Sequence, residues 1–172
     1  MERILEMVRS SGRKSPLLEM DSPIRRRAAE GIARLKIDYR GGLESLVGLG
    51  IGLTPSCDDL LGGMAAWMYL TGQAPAFLEE LRRFLKEKGE VCTTAVSRNL
   101  LADVACGIVN DGIYELICRI VSDGSSDQRC GLAGEGSSLE RLTKRVMDYG
   151  STSGMETCLG IVLGYHLGRN GE

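Results

Sequence analysis

Residues 48–59 read GLGIGLTPSCDD, and here residue type and spacing suit chemistry. Gly48, Gly50 and Gly52 alternate, so the backbone can take positive φ and approach a ligand closely. Thr54 suits a helix N-cap and Pro55 the first helical position. A glycine loop that leads into a helix start offers backbone N–H groups at the positive end of the dipole, where phosphate or carboxylate binds. Gly50, Gly52, Thr54 and Ser56 are therefore the candidate anion cradle. Asp58 and Asp59 follow in the first turn. They either complement the dipole or hold Mg²⁺ together with ligand phosphates. No Gly-Lys-Ser/Thr follows, and no strand–helix–strand pattern surrounds the loop, so it is neither a Walker loop nor a dinucleotide fingerprint.

A second segment, GSTSGMETCLGIVLGYHLG at 150–168, echoes the first. Gly52, Thr54, Asp58, Leu61 and Gly62 correspond to Gly150, Thr152, Glu156, Leu159 and Gly160. If the echo is structural, two helix starts converge on one pocket, with Ser153 and Gly154 joining the anion site. Asp58, Asp59 and Glu156 would then be its cation ligands. The alternative is that Ser153 and Glu156 form a capping box and each acid stays on its own helix start. Gly160 and Gly164, four apart, make a smooth stripe where another helix backbone can come close. Between the two segments, TTAVSRN (93–99) offers hydroxyls and Arg98, whose guanidinium can fork onto carboxylate or phosphate. Cys57 sits beside a helix start, a position that can lower a thiol pKa.

These residues need helices to position them, and helices are what the patterns give. Ile4, Leu5 and Val8 share one face. Ser22-Pro23 starts a helix that carries Ile24, Ala28, Ile32 and Leu35 towards a Gly41-Gly42 stop. The helix opened by Thr54-Pro55 runs to Gly72. Pro75 opens another, with Phe77, Leu78, Leu81, Phe84 and Leu85 inward. Residues 91–106 continue as a helix with Val96, Leu100, Leu101 and Val104, and 111–121 form one more. Segment 122–138 reads as a flexible loop, and Ser137-Ser138-Leu139-Glu140 has the spacing of a helix cap. Only Leu46–Leu49 could be a strand. The expected class is mainly α: one domain over 1–172, a helical bundle with glycine-rich loops at helix N-termini.

Composition bounds the rest. The 172 residues are 43% hydrophobic and 26% charged, a globular balance, and 23 are glycine. A net charge of −2 gives no electrostatic reason to expect nucleic acid. Residues 1–40 are basic, and Arg25, Arg26 and Arg27 form either a basic binding face or a solvated one. No apolar run is long enough to span a bilayer, and MERILEMVRSSGRK lacks the uninterrupted apolar stretch of a signal peptide. A cytoplasmic location is expected. Six cysteines without a CxxC, and His166 alone, argue against a zinc site and favour reduced, packing thiols. Histidine-based catalysis has only that one candidate.

The run from Gly48 to Asp59 resembles the signature Gly-x-Gly-x-Gly-Leu-Thr-Pro-Ser-Gly-Asp-Asp of the DUF2877 family, which includes the AllH-like subunits of oxamate carbamoyltransferase. Gly48, Gly50, Gly52, Leu53, Thr54, Pro55, Ser56, Asp58 and Asp59 match. The late Gly-His-Ser-Ser-Gly-x-Asp-Thr pattern is met by Gly150, Ser153, Gly154 and Thr157. Ile51, Cys57, Ser151 and Glu156 depart from the usual proline, glycine, histidine and aspartate. The likeness spans about residues 22–168. It implies carbamoyl transfer between carbamoyl phosphate and a small carboxylate such as oxamate, with other subunits or further copies as partners. Such transfer can run on positioning and oxyanion stabilisation. No nucleophile with an adjacent base is visible, so no catalytic residue is assigned. Two other readings stand beside it: a binding or regulatory domain for a small phosphorylated or carboxylate metabolite, and a structural helical partner.

Overall fold

The computed structural model describes residues 1–124 and 138–169. In chain order its helices are α1 (Glu2–Ser10), α2 (Pro23–Leu35), α3 (Tyr39–Leu46), α4 (Ser56–Thr71), α5 (Pro75–Cys92), α6 (Ala95–Ala105), α7 (Asp111–Gly124), α8 (Leu139–Met147) and α9 (Ser153–Arg169). There is no strand among the described residues, so the chain is mainly α as expected. Leu46–Leu49 is the end of α3 and the turn after it, not a strand.

The core is built on one helix pair. Helix α4 is apolar nearly all round, burying Leu60, Leu61, Met64, Ala65, Ala66, Trp67 and Met68. A helix of that kind needs neighbours on every side. Helix α9 lies closest along it, α5, α6 and α7 cover its other faces, and α1 and α8 back α9. Helices α2 and α3 pack on each other, and α3 rests on α5. The stripe of small residues makes the α4–α9 approach backbone-close. A Cβ on Gly63 would overlap the Thr157 carbonyl, and one on Gly160 would overlap the Leu60 carbonyl. The smooth face expected at Gly160 and Gly164 is the one that α4 occupies.

Boundaries mostly fall where the sequence puts them. The Ser22 hydroxyl accepts from Arg25 N–H, Ser138 does the same for Arg141, and Gly72 ends α4 with φ +71°. Three differences have physical reasons. Gly41 and Gly42 lie inside α3 and do not stop α2; a Cβ on Gly42 would run into the Leu35 backbone, so this pair is a packing contact. The helix expected over 91–106 is two pieces. Helix α5 ends at Cys92, and Thr94 caps a new helix by accepting from Ser97 N–H. Val96 and Leu100 on that helix face solvent, whereas Leu101 is buried. The proposed flexible loop overlaps the end of α7 at 122–124, and its residues 125–137 lie outside the described ones.

Among the described residues no helix is long and apolar enough to cross a membrane. Cys57, Cys92, Cys106 and Cys158 are free thiols, but Cys118 is disulfide-bonded. The reading of all six as reduced therefore fails at Cys118. Burial pushes the Cys57 and Cys158 thiols up to about 12, with the nearby Asp58 and Glu156 adding to the rise at Cys57. Cys57 is a packing residue, not an activated nucleophile.

Candidate functional site

Asp58 is a knot of the fold. Only 2% exposed, it accepts from Gly48 N–H at 2.7 Å with one carboxylate oxygen. The other oxygen accepts from the Ser97 hydroxyl at 2.6 Å and from the Thr93 hydroxyl. One side chain thus ties the glycine loop, the start of α4, and the junction between α5 and α6. The glycines make this possible. Gly48 has φ +79° with the Cys92 carbonyl where a Cβ would sit, and Gly50 has φ +142° with Ser56 N in the same relation. The loop folds back over the helix start, and Cys57 N–H donates to the Leu49 carbonyl at 2.9 Å. Part of the expected backbone cradle is therefore spent within the protein. Helix α4 begins at Ser56 with Pro55 as its cap residue. Thr54 does not cap it, because its hydroxyl is used elsewhere.

That hydroxyl lies 3.0 Å from the Ser153 hydroxyl, so the starts of α4 and α9 do converge. Both hydroxyls lie beside Asp59 and favour its ionised form. Glu156, fully buried one turn into α9, accepts from the Ser15 hydroxyl at 2.8 Å. Ser153 and Glu156 thus turn to tertiary partners and form no capping box. One buried oxygen of Asp59 and one of Glu156 have no hydrogen-bond partner. Burial, more than any single neighbour, pushes the Asp59 carboxyl up to about 6; Ser153 and Thr54 oppose the rise, and Glu156 and Asp58 add to it.

The raised value has a sign that can be measured. An acid whose folded pKa exceeds its ordinary 3.8 adds stability that is full below about pH 4 and lost as pH rises through about 6. Asp59→Asn removes this dependence. Relative to the parent, the variant should gain on the order of 1–3 kcal/mol in unfolding free energy between about pH 4 and pH 8. Urea unfolding across that range checks it; parallel curves for the two proteins would show that Asp59 is not buried as a charge.

Beside Asp59 lies a cavity of about 300 Å³ between α4, α6, the start of α7 and α9. Its walls are Leu100, Leu101, Val104, Ile108, Val109 and Ile113, with Asp58, Asp59, Asp103, Ser97, Asn110 and Thr157 as the polar groups. Asn110 Oδ1 accepts from Gly112 N–H and from the Tyr149 hydroxyl, which leaves its NH₂ group to donate. This is a small, mostly apolar pocket with a few placed polar groups, the usual form of a small-molecule site.

The residues expected to bind an anion are divided by the fold. Thr54 and Ser153 come together beside Asp59. Gly50 and Ser56 are folded against each other, and Gly52 is open at the loop tip. Gly154 packs on α8, where a Cβ would overlap the Val146 carbonyl. Arg98 is turned away from the cavity, since it pairs with Glu90 at 2.8 Å while its neighbour Ser97 faces Asp58. Asp58, Asp59 and Glu156 are not gathered into one cation site. Both oxygens of Asp58 are taken, and among the described residues no three His, Cys, Asp or Glu side chains group to hold a metal. Ser15, Asn110 and Asp103 were not singled out from the sequence, because nothing near them in the chain marks them.

No solved structure matches the chain. A family model does: the one described as oxamate carbamoyltransferase subunit AllH matches residues 46–165. That stretch holds the glycine loop, the Asp58 knot, the whole cavity wall and the start of α9, and it is well over half of the sequence. The chain belongs to the AllH family of oxamate carbamoyltransferase subunits.

Proposed function

We propose that this chain is a working subunit of a carbamoyltransferase that joins the carbamoyl group of carbamoyl phosphate to the amide nitrogen of oxamate, and that it contributes the Asp59 cavity. The observation that carries the reading is the state of Asp59. It lines a cavity of small-molecule size, and two hydroxyls orient it. One of its buried oxygens has no partner. A primary amide offers an N–H to such an oxygen, and the Asn110 amide can donate to the carbonyl at the other end. In the transfer a C–N bond forms between the oxamate nitrogen and the carbamoyl carbon. The C–O bond to phosphate breaks, phosphate takes the electron pair, and one nitrogen proton leaves. Asp59, with its carboxyl near 6, is ionised at neutral pH and basic enough to take that proton and pass it to phosphate. Thr54 and Ser153 are positioning residues.

The test is phosphate release from carbamoyl phosphate, dependent on oxamate, by the chain assembled with its companion subunits. Asp59→Asn should lower kcat by about 10²–10⁴-fold, the usual contribution of a positioned proton acceptor. An active assembly whose Asp59→Asn variant keeps its full rate would overturn the assignment. Oxamate binding without turnover would instead support a binding domain.

A further inference from the structure

The cavity is the wrong charge for its own ligands. Carbamoyl phosphate and oxamate are both anions, yet the cavity is lined by Asp58, Asp59 and Asp103 and by no lysine, arginine or histidine. Arginines on the surrounding helices are engaged elsewhere: Arg98 with Glu90, Arg82 with the Ala105 carbonyl at 2.6 Å, and Arg145 with Glu115 at 2.9 Å. Like charges at such range repel, and a partly dry wall sharpens the repulsion. The cavity lining itself therefore supplies no cation to balance an anionic ligand.

The mouth of the cavity is its open approach. Leu100 is 51% exposed and Ile108 66% exposed, and both line the cavity. Val96, one turn before Leu100, is 41% exposed. Leu53 is 67% exposed at the loop tip, which the Thr94 hydroxyl pins to the start of α6 through the Leu53 carbonyl. An apolar rim around an acidic hole fits a surface that is apolar around a basic point.

We propose that the rim of Leu53, Val96, Leu100 and Ile108 seats a different subunit of the same enzyme, which extends a lysine or arginine into the cavity to hold the anionic end of the substrate. The proposal rests on the carbamoyltransferase reading and deepens it. The transferase site is shared between two polypeptides, and this chain supplies the proton acceptor and the amide contact.

The experiment measures assembly and does not depend on turnover. The full chain is mixed with its purified companion subunits, and the dissociation constant is read by light scattering after size exclusion. Leu100→Glu and Ile108→Glu change exposed side chains, so circular dichroism should show them folded. Each should weaken assembly about tenfold or more, the scale of a lost central contact. Ile37→Glu, 91% exposed between α2 and α3, should assemble normally. The cation is read separately: added salt should weaken assembly of the parent, and Asp103→Asn should flatten that dependence. Unchanged assembly by Leu100→Glu and Ile108→Glu overturns the proposal. So does an unaltered salt dependence in Asp103→Asn, or a homo-oligomer of this chain that Leu100→Glu dissolves. An assembly that resists these changes yet still makes product removes the interface and leaves the transferase reading intact. Lost assembly in an enzyme that never uses oxamate does the reverse.

Discussion

Asp58→Ala is expected to lower the unfolding free energy by about 3–5 kcal/mol, the scale of breaking a buried charged group away from its partners. The side chain is 2% exposed and accepts from Gly48 N–H, the Ser97 hydroxyl and the Thr93 hydroxyl. Alanine leaves the buried Ser97 hydroxyl and the half-buried Gly48 N–H and Thr93 hydroxyl without that acceptor, and it frees the glycine loop from the α5–α6 junction. Asp58→Asn keeps the volume but turns an NH₂ towards groups that also donate, so it should recover only part of the loss. Thr93→Val and Ser97→Ala each remove one bond and should cost about 1–2 kcal/mol. Chemical denaturation measures all four. A loss below about 1 kcal/mol for Asp58→Ala would mean that the loop is held by something else.

Two adjacent glycines on α4 should respond to alanine with opposite signs. Gly63→Ala places a methyl on the Thr157 carbonyl, and Gly160→Ala does the same at the Leu60 carbonyl. The obstacle in each case is backbone of a packed helix and cannot rotate aside. Each change should cost about 3 kcal/mol or more, at or beyond the upper end of ordinary overpacking. At Gly62 the nearest atom to a new Cβ is Leu101 Cδ2 at 3.9 Å, which is normal contact. Gly62→Ala should therefore keep the gain in helix propensity, about 0.8–1 kcal/mol, and raise the melting temperature. Thermal unfolding of the three variants decides it. A similar effect at Gly62 and Gly63 would show that α4 and α9 are not in backbone contact.

Local rules made the helix starts at Ser22, Pro75 and Ser138 legible, because a cap is a property of three or four consecutive residues. The echo between residues 52–62 and 150–160 also reached the meeting of Thr54 with Ser153, 99 positions apart. Other features lay beyond the sequence. Gly48 and Gly50 do take positive φ, but a neighbouring backbone, not a ligand, fills the space they leave. Asp58 and Asp59 are identical in type and adjacent, and one helical step of about 100° separates a carboxylate with both oxygens taken from one with an unpartnered oxygen. The same step divides Ser97, which meets Asp58, from Arg98, which does not. Val96 and Leu100 fit an inward stripe by spacing, but the break at Thr93-Thr94 rotates α6 and brings them to the surface. Which of two neighbours points inward is fixed by contacts 35 and 39 residues away at Asp58, and no window along the chain contains both ends.

The backbone-close pairing of α4 with α9 also sets the order in which the chain can assemble as it is made. Helix α4 emerges from the ribosome about a hundred residues before α9, a delay of about 5–20 s at ordinary elongation rates. Throughout that interval Leu60, Leu61, Met64, Ala65, Ala66, Trp67 and Met68 lack their closest partner. Helices α5, α6 and α7 follow at once and can cover some of that surface, but the glycine face has no substitute, since only another glycine stripe fits so closely. The nascent chain therefore carries its most aggregation-prone helix half-covered until α9 arrives, and chaperone demand during synthesis should fall on α4.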